Sequence, residues 1–414
     1  MSGGRPAPIY MDNHATTRPD PRVVEAMLPY LSEDYGNPAS RTHAYGWRAE
    51  EAVTRARTQV ARLLNADPKE ILFTSGATES NNIAIRGLLR AAAGRGDHLV
   101  TSATEHPAVL DVVRDVEEQG IRATVLPVDR YGRVDPGAVR EAITPRTVLV
   151  TLMAANNEVG TLLPIAAVGA ICRERGVTFH TDAAQAAGKV ALDTQAMDID
   201  LLSISGHKVY GPKGVGALYV RRKNPRVILE PIMRGGGQER GLRPGTLNVP
   251  AIVGLGAALE IARAAMPAEA ARLRALRDRL EAGLRTRVPD IVVNGHATER
   301  LPHNLNISFE GVEGEALLLA LDGVAVSSGS ACTSEKREPS HVLKAMGVSD
   351  TMAQTSLRFG LGRFNTAEEI DEVIGRVAEA VARLREISPL YRASAGGEQH
   401  TTNGPVARQG GREA

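Results

Sequence analysis

One lysine stands where a charged amine is least expected. The segment Leu201-Leu-Ser-Ile-Ser-Gly-His-Lys208 runs an apolar strand straight into Ser205-Gly-His207-Lys208, and a glycine-rich turn follows through Gly216. Lysine is seldom buried without a partner, so one that ends a core strand invites a chemical reading. A desolvated amine, or one beside another cation, has a lowered pKa and forms Schiff bases. The blander reading is a solvated loop lysine. Ser205 and His207 beside it offer hydroxyl and imidazole donors suited to a phosphate.

Three further positions fall at the ends of expected strands. Phe73-Thr-Ser-Gly-Ala-Thr-Glu-Ser80 is a strand-to-helix turn of small residues. Backbone N–H groups at such a helix start cradle phosphate, although an ordinary capped helix start reads the same way. Asp182, in Thr178-Phe-His-Thr-Asp182-Ala-Ala-Gln185, suits a helix N-cap. It equally suits a partner for a protonated pyridine nitrogen, as pyridoxal phosphate requires when it acts as an electron sink. His106, in Ser102-Ala-Thr-Glu-His-Pro107, either plays a structural part or stacks on a flat cofactor. No one of these decides the chemistry; the ordered set makes a much stronger case.

A second centre lies near the C-terminus. Val324-Ala-Val-Ser-Ser-Gly-Ser-Ala-Cys-Thr-Ser334 ends a strand in small polar residues, poor core material for the thiol of Cys332. A thiol in a mobile loop can travel and react as the thiolate. Cys172, on the apolar face of a helix, reads as a small buried hydrophobe. Arg358, in Ser356-Leu-Arg-Phe-Gly-Leu-Gly-Arg363, could grip a substrate carboxylate bidentately, or be an ordinary surface arginine.

The elements that position these residues are legible in the apolar pattern. Ile71–Phe73, His98–Ser102, Ala123–Val128, Val148–Ala154, Thr178–Thr181, Leu201–Ser205 and Ala217–Val220 read as buried strands. Helical stretches separate them, one starting near Pro164 and ending before Gly176. Such alternation predicts an α/β fold with a mainly parallel sheet covered on both faces and ligands at the carboxyl ends of its strands. After about residue 258 the pattern changes. Leu273, Leu276, Leu280 and Leu284 form a helix stripe, Asn306–Phe309 and Val324–Ser327 look like strands, and a last helix opens with the capping box Thr366-Ala-Glu-Glu369. This is the pattern of a smaller α+β unit. Residues 393–414 contain no Leu, Ile, Met or Phe and read as a flexible tail.

Composition narrows the classes of function. Hydrophobic residues make up 43% of 414 and charged residues 23%, with a formal charge of +1, enough for a large core. That balance argues against nucleic acid or an acidic membrane as the main partner. Only seven of the 49 basic residues are lysine, which shortens the list of candidate amines. Two cysteines cannot build a disulfide framework or the four-thiolate shell of a typical iron–sulfur cluster. No secretory signal and no uninterrupted apolar run of membrane-spanning length is visible, so a cytoplasmic location is expected.

The motifs Met11-Asp-Asn-His-Ala-Thr-Thr17, Gly36-Asn-Pro-Ala-Ser40, Thr74-Ser-Gly-Ala-Thr-Glu-Ser80, Thr104-Glu-His106, Asn156-Asn-Glu-Val-Gly160, Asp182-Ala-Ala-Gln185, Ser205-Gly-His-Lys208, Arg234-Gly-Gly-Gly-Gln-Glu-Arg-Gly241 and Ser327-Ser-Gly-Ser-Ala-Cys332 occur in colinear order. Between about Ile9 and Pro389 the chain resembles the pyridoxal phosphate-dependent cysteine desulfurases of the IscS/NifS type. It departs from that pattern at His14, and after Pro389 it lacks a scaffold-docking end. The resemblance implies a type I pyridoxal-phosphate transferase fold with a seven-stranded sheet. Residues 16–258 would form the large cofactor-binding domain. Residues 1–15 and 259–392 would form the small domain carrying the cysteine loop.

It further implies Lys208 as the covalent anchor, Asp182 at the pyridine nitrogen, Gln185 at the phenolic oxygen and His106 stacked on the ring. Ala77, Thr78, Ser205 and His207 would hold the phosphate, with Thr246 from the other subunit of a homodimer. Asn157 and Arg358 would bind the carboxylate of L-cysteine, and Cys332 would be the nucleophile that takes the sulfur as a persulfide, leaving alanine. An iron–sulfur scaffold or a tRNA-thiolation protein would receive that sulfur. No resident metal is expected, although Cys332 could transiently ligate a transferred cluster. A selenocysteine lyase or another β-lyase would use the same lysine apparatus without needing Cys332. A non-catalytic cofactor-binding or sulfur-carrier platform would not need the full set.

Overall fold

The computed structural model describes residues 7–328, 339–388 and 391. Among them are thirteen strands: β1 (Ile9–Tyr10), β2 (Ile71–Thr74), β3 (His98–Ser102), β4 (Arg122–Leu126), β5 (Thr147–Thr151), β6 (Thr178–Asp182), β7 (Leu201–Ser205), β8 (Gly216–Val220), β9 (Ile291–Asn294), β10 (Asn304–Phe309), β11 (Val324–Ala325), β12 (Ser327–Ser328) and β13 (Ser356–Gly360). Seven of them form one sheet in the order β2-β8-β7-β6-β5-β3-β4. The pairs β3–β4, β3–β5, β5–β6 and β6–β7 are parallel. Only β8 runs against its neighbours β2 and β7.

Central strands of such a sheet are covered on both faces and so are apolar throughout; β7 is buried at every position. The edge strand β4 is exposed or half-buried along most of its length. On one face the Ala44–Leu64 helix and the first half of the Val249–Arg287 helix close a core with Phe73, Leu202 and Ile204. On the other the Ala77–Ala91 and Pro107–Glu118 helices pack over Leu72, Leu99 and Leu149.

The expected strands and the Pro164–Gly176 helix are found, the latter as Ile165–Arg175 closed by Gly176 at φ 67°. The Val249–Arg287 helix is long and apolar enough to cross a membrane. Its Ala251, Leu255 and Leu259 instead belong to the protein core. The same helix runs unbroken through residue 258.

Beyond it, β12-β13-β10-β9 make an antiparallel four-stranded sheet, with Leu305, Ile307 and Phe359 buried against Leu280, Leu284 and Val377. The Ala367–Ile387 helix begins with the expected capping box, Thr366 Oγ1 accepting from the Glu369 N–H and Glu369 from the Thr366 N–H. The N-terminal segment ties the two sheets together: Asn13 Nδ2 donates to the Gly360 carbonyl at 2.9 Å, and Thr17 N–H to the His207 carbonyl at 2.8 Å. The tail, 393–414, lies outside the described residues.

Candidate active site

A cavity of about 550 Å³ opens where β2, β3, β5, β6 and β7 end, and its wall includes His106, Asp182, Gln185, Ser205, His207 and Lys208. This is the carboxyl edge of the parallel strands, where the chain turns away from the sheet and leaves side chains and helix starts facing a crevice. Lys208 ends a short turn after β7, and its Nζ donates to the His14 carbonyl. Residues distant in sequence therefore meet because neighbouring strands end together.

One end of the cavity has the chemistry of an anion site. The Ala77–Ala91 helix starts at Gly76 with no side chain capping it, which leaves first-turn N–H groups available to a ligand. Ala77, Thr78, Ser205, His207 and Lys213 line the wall there. Burial, together with the nearby charges of Lys208 and Lys213, lowers the His207 pKa to about 4. His207 is therefore a neutral imidazole, with Nδ1 3.2 Å from Thr16 Oγ1. Glu79 brings a negative charge to this wall, and Arg243 Nε holds it at 2.9 Å.

Another part of the wall suits a flat ring with a basic nitrogen. Asp182 is 7% exposed; its Oδ1 accepts from the Ala184 N–H at 2.9 Å and its Oδ2 from Asn81 Nδ2 at 2.7 Å. The aspartate thus makes an Asx-type turn and faces the cavity too. His106 also lines the cavity and has a structural part. It is the N-cap of the Pro107–Glu118 helix, Nδ1 accepting from the Ala108 N–H at 3.1 Å, which places its proton on Nε2. Burial lowers its pKa, with Asp182 opposing that shift. Behind it Glu105 is wholly buried, accepts from the Met153 N–H at 2.8 Å, and is pushed well above the usual carboxylate range by desolvation.

The wall also includes Asn157 and Arg358, the latter on β13 of the small sheet. Arg358, 3% exposed, donates to the Asn157 carbonyl and to Asp12 Oδ1, each at 3.0 Å. Its Nε is buried without a hydrogen-bond partner among the described residues. A buried guanidinium of this kind has the chemistry to pair with a carboxylate, and its burial rules out the surface arginine that was the alternative.

Ten of the expected site residues converge here: Ala77, Thr78, His106, Asn157, Asp182, Gln185, Ser205, His207, Lys208 and Arg358 all line the one cavity. Thr246 does not; it is exposed and outside that wall. Cys332 lies outside the described residues. Cys172 is buried, as expected, and burial pushes its thiol up to about 12. Asn81, Glu105, His303 and Asn304 were not found by sequence reasoning. Asn81 sits one helical turn past Ala77, a spacing that could have been followed from the cradle; the other three give no local signal.

An uncapped helix start among hydroxyls, a buried carboxylate and a lysine in one cavity wall suit the phosphate, ring nitrogen and aldehyde of pyridoxal 5'-phosphate. Comparison with known proteins points the same way. Residues 9–373 match the family model for class-V aminotransferases. A curated relative from Anaeromyxobacter dehalogenans (strain 2CP-C), "Cysteine desulfurase IscS", is 58% identical over 384 residues, covering 93% of this chain and 95% of that protein. The Homo sapiens "Cysteine desulfurase" is 55% identical over 93% of this chain and 84% of its own length. Among solved structures, a NifS-like protein superposes with a TM-score of 0.85 at 37% identity, covering 91% of this chain and all of the other. SspA in complex with cysteine does so with a TM-score of 0.77 at 38% identity, over 86% of this chain and 100% of that one.

Proposed function

This chain belongs to the class-V aminotransferase family, among its pyridoxal phosphate-dependent cysteine desulfurases, and from that premise we propose a division of labour in which sulfur moves from L-cysteine to Cys332. The observation that carries it is the meeting of Lys208, Asp182, His106 and an uncapped helix start in one cavity. When bound, the cofactor supplies an aldehyde for the substrate amine and a ring that draws electrons from Cα.

The protein's own groups do the rest. Ala77, Thr78, Ser205 and His207 hold the phosphate, completed by Thr246 of a second subunit in a homodimer. Asp182 keeps a proton on the pyridine nitrogen, Gln185 donates to the ring oxygen, and His106 stacks on the ring and moves protons at the substrate sulfur or that oxygen. Lys208 would anchor the cofactor and, with its amine free, would take the Cα proton of the substrate. Asn157 and Arg358 orient the substrate carboxylate. The Cys332 thiolate would attack the substrate sulfur; an S–S bond forms as the C–S bond breaks, the electron pair passing to the substrate carbon, which takes a proton to leave as alanine. Residues 16–258 serve as the cofactor unit, and 1–15 with 259–392 as the unit that carries Cys332. The persulfide passes to an acceptor protein, an iron–sulfur scaffold or a thiolation partner, in the cytoplasm.

The test is the intact mass after brief exposure to L-cysteine without reductant. The wild type gains one or more sulfur atoms and Cys332→Ala does not. No gain in a wild type that holds its cofactor would overturn the persulfide step and favour a β-lyase.

A further inference from the structure

Gln185 does not meet the cavity alone. Its Oε1 accepts from His14 Nδ1 at 3.0 Å, and its Nε2 donates to the His14 carbonyl at 3.0 Å. On the far side of the imidazole, His14 Nε2 lies 3.1 Å from Asn304 Nδ2. Asn304 Oδ1 in turn accepts from Arg300 Nη2 at 3.1 Å, and its Nδ2 also donates to the Glu158 carbonyl at 3.1 Å. The His14 ring is stacked on His303, centroids 4.5 Å apart, and both imidazoles are buried.

Each amide and imidazole in this chain could be turned round by itself, but the sequence of partners permits one direction. A guanidinium can only donate. Arg300 therefore fixes the oxygen of Asn304 towards itself and the NH₂ towards His14. His14 must accept at Nε2, so its proton sits on Nδ1, and Nδ1–H fixes Gln185 with its oxygen towards His14. Gln185 Nε2 then has one N–H on the His14 carbonyl and one left for the cavity.

We propose that His14 is a positioning residue which, with Asn304 and Arg300, sets the hydrogen-bond polarity of Gln185, so that Gln185 presents a donor and never an acceptor to the cavity. The inference rests on the reading that the cavity takes pyridoxal phosphate with its ring oxygen at Gln185; a donor there favours that oxygen as the anion.

Space has been left for the relay. A Cβ on Gly160, at φ +76°, would lie 2.5 Å from Asn304 Cγ, and one on Gly360 would lie 2.8 Å from His14 Cδ2. Burial is the main cause that holds both His14 and His303 well below the usual imidazole pKa, which agrees with a ring carrying a single proton.

Two readouts test this on the full-length protein. Long-range ¹H–¹⁵N correlation of histidine-labelled protein, with and without cofactor, shows a protonated Nδ1 and a bare Nε2 for the signals lost in His14→Asn. The visible absorbance of the bound cofactor is then titrated with pH. His14→Phe keeps the stack on His303 but offers no N–H, and it raises the midpoint by about one pH unit, the worth of one hydrogen bond to an anionic oxygen. His14→Asn places an amide N–H where Nδ1–H was and restores the wild-type midpoint. A proton on His14 Nε2 in the wild type, or a His14→Phe midpoint equal to the wild type's, overturns the relay. A wild type that binds no cofactor overturns the underlying reading instead.

Discussion

Asn81 Nδ2 lies 2.7 Å from Asp182 Oδ2, joining the second turn of the Ala77–Ala91 helix to the end of β6. Neither group is exposed beyond 7%. The bond links the element that would grip a phosphate to the carboxylate that would hold a ring nitrogen, so the two ends of the cavity keep a fixed separation.

Removing that bond leaves a buried carboxylate with one donor fewer, a loss of about 1–3 kcal/mol. Asn81→Leu is expected to lower kcat/KM for L-cysteine by about 10- to 100-fold, at roughly 1.4 kcal/mol per tenfold. Steady-state alanine formation measures it, with circular dichroism as the check on folding. An unchanged rate would mean that the Ala184 N–H alone suffices to hold Asp182.

Arg358 presents a planar fork that lysine cannot copy. Arg358→Lys is expected to raise KM for L-cysteine by about tenfold or more while a larger share of kcat survives. Arg358→Ala also strips the Asp12 carboxylate of its ion pair, at a stability cost of about 3 kcal/mol. Substrate titrations and urea unfolding separate the two effects; equal KM values for wild type and Arg358→Lys would take Arg358 out of substrate binding.

Glu158, hydrogen-bonded to Ser340 Oγ, has its pKa raised from 4.5 to about 7, chiefly by burial. Between those values the folded state holds a proton that the unfolded state has released. Its contribution is therefore complete below pH 4.5 and is lost as the pH climbs towards 7. Glu158→Gln has no proton to lose. Comparing urea unfolding at pH 4.5 and 7.5, the wild type should lose up to about 3 kcal/mol more than Glu158→Gln. Parallel losses in the two proteins would place the Glu158 pKa near its ordinary value.

Gly160 adopts a backbone that side chains resist, and Asn304 fills the space a Cβ would need. Gly160→Ala combines that strain with overpacking, about 2–4 kcal/mol in all. Thermal unfolding reads the loss. A variant as stable as wild type would show that Asn304 can move aside freely.

Much of this architecture was written in local pattern. Continuous apolar runs such as Leu201–Ser205 identified strands buried on both faces, because a parallel sheet gives them no polar side. The Thr366/Glu369 capping box marked a helix start for a reason confined to four residues. Lys208, Asp182 and His106 were visible because each breaks the expectation for its place, a polar group at the end of an apolar strand. Residue 258 was legible as a change of pattern but not as the interior of a helix. The Val249–Arg287 helix crosses it without a break, and only the packing of each half shows that they serve different cores.

The relay behind Gln185 had no such signature. Between His14 and Asn304 there are 290 residues of separation, and nothing in the composition of either segment couples them. Sequence by itself determined which residues can donate, accept, ionise or bond to an aldehyde, and which strands must be buried, since those properties belong to single side chains and short runs. Tertiary structure alone decided which of them share a cavity and which way each amide and imidazole faces. A hydrogen bond's direction depends on every partner in the chain, and those partners come together only when β6, β10 and the N-terminal segment pack side by side.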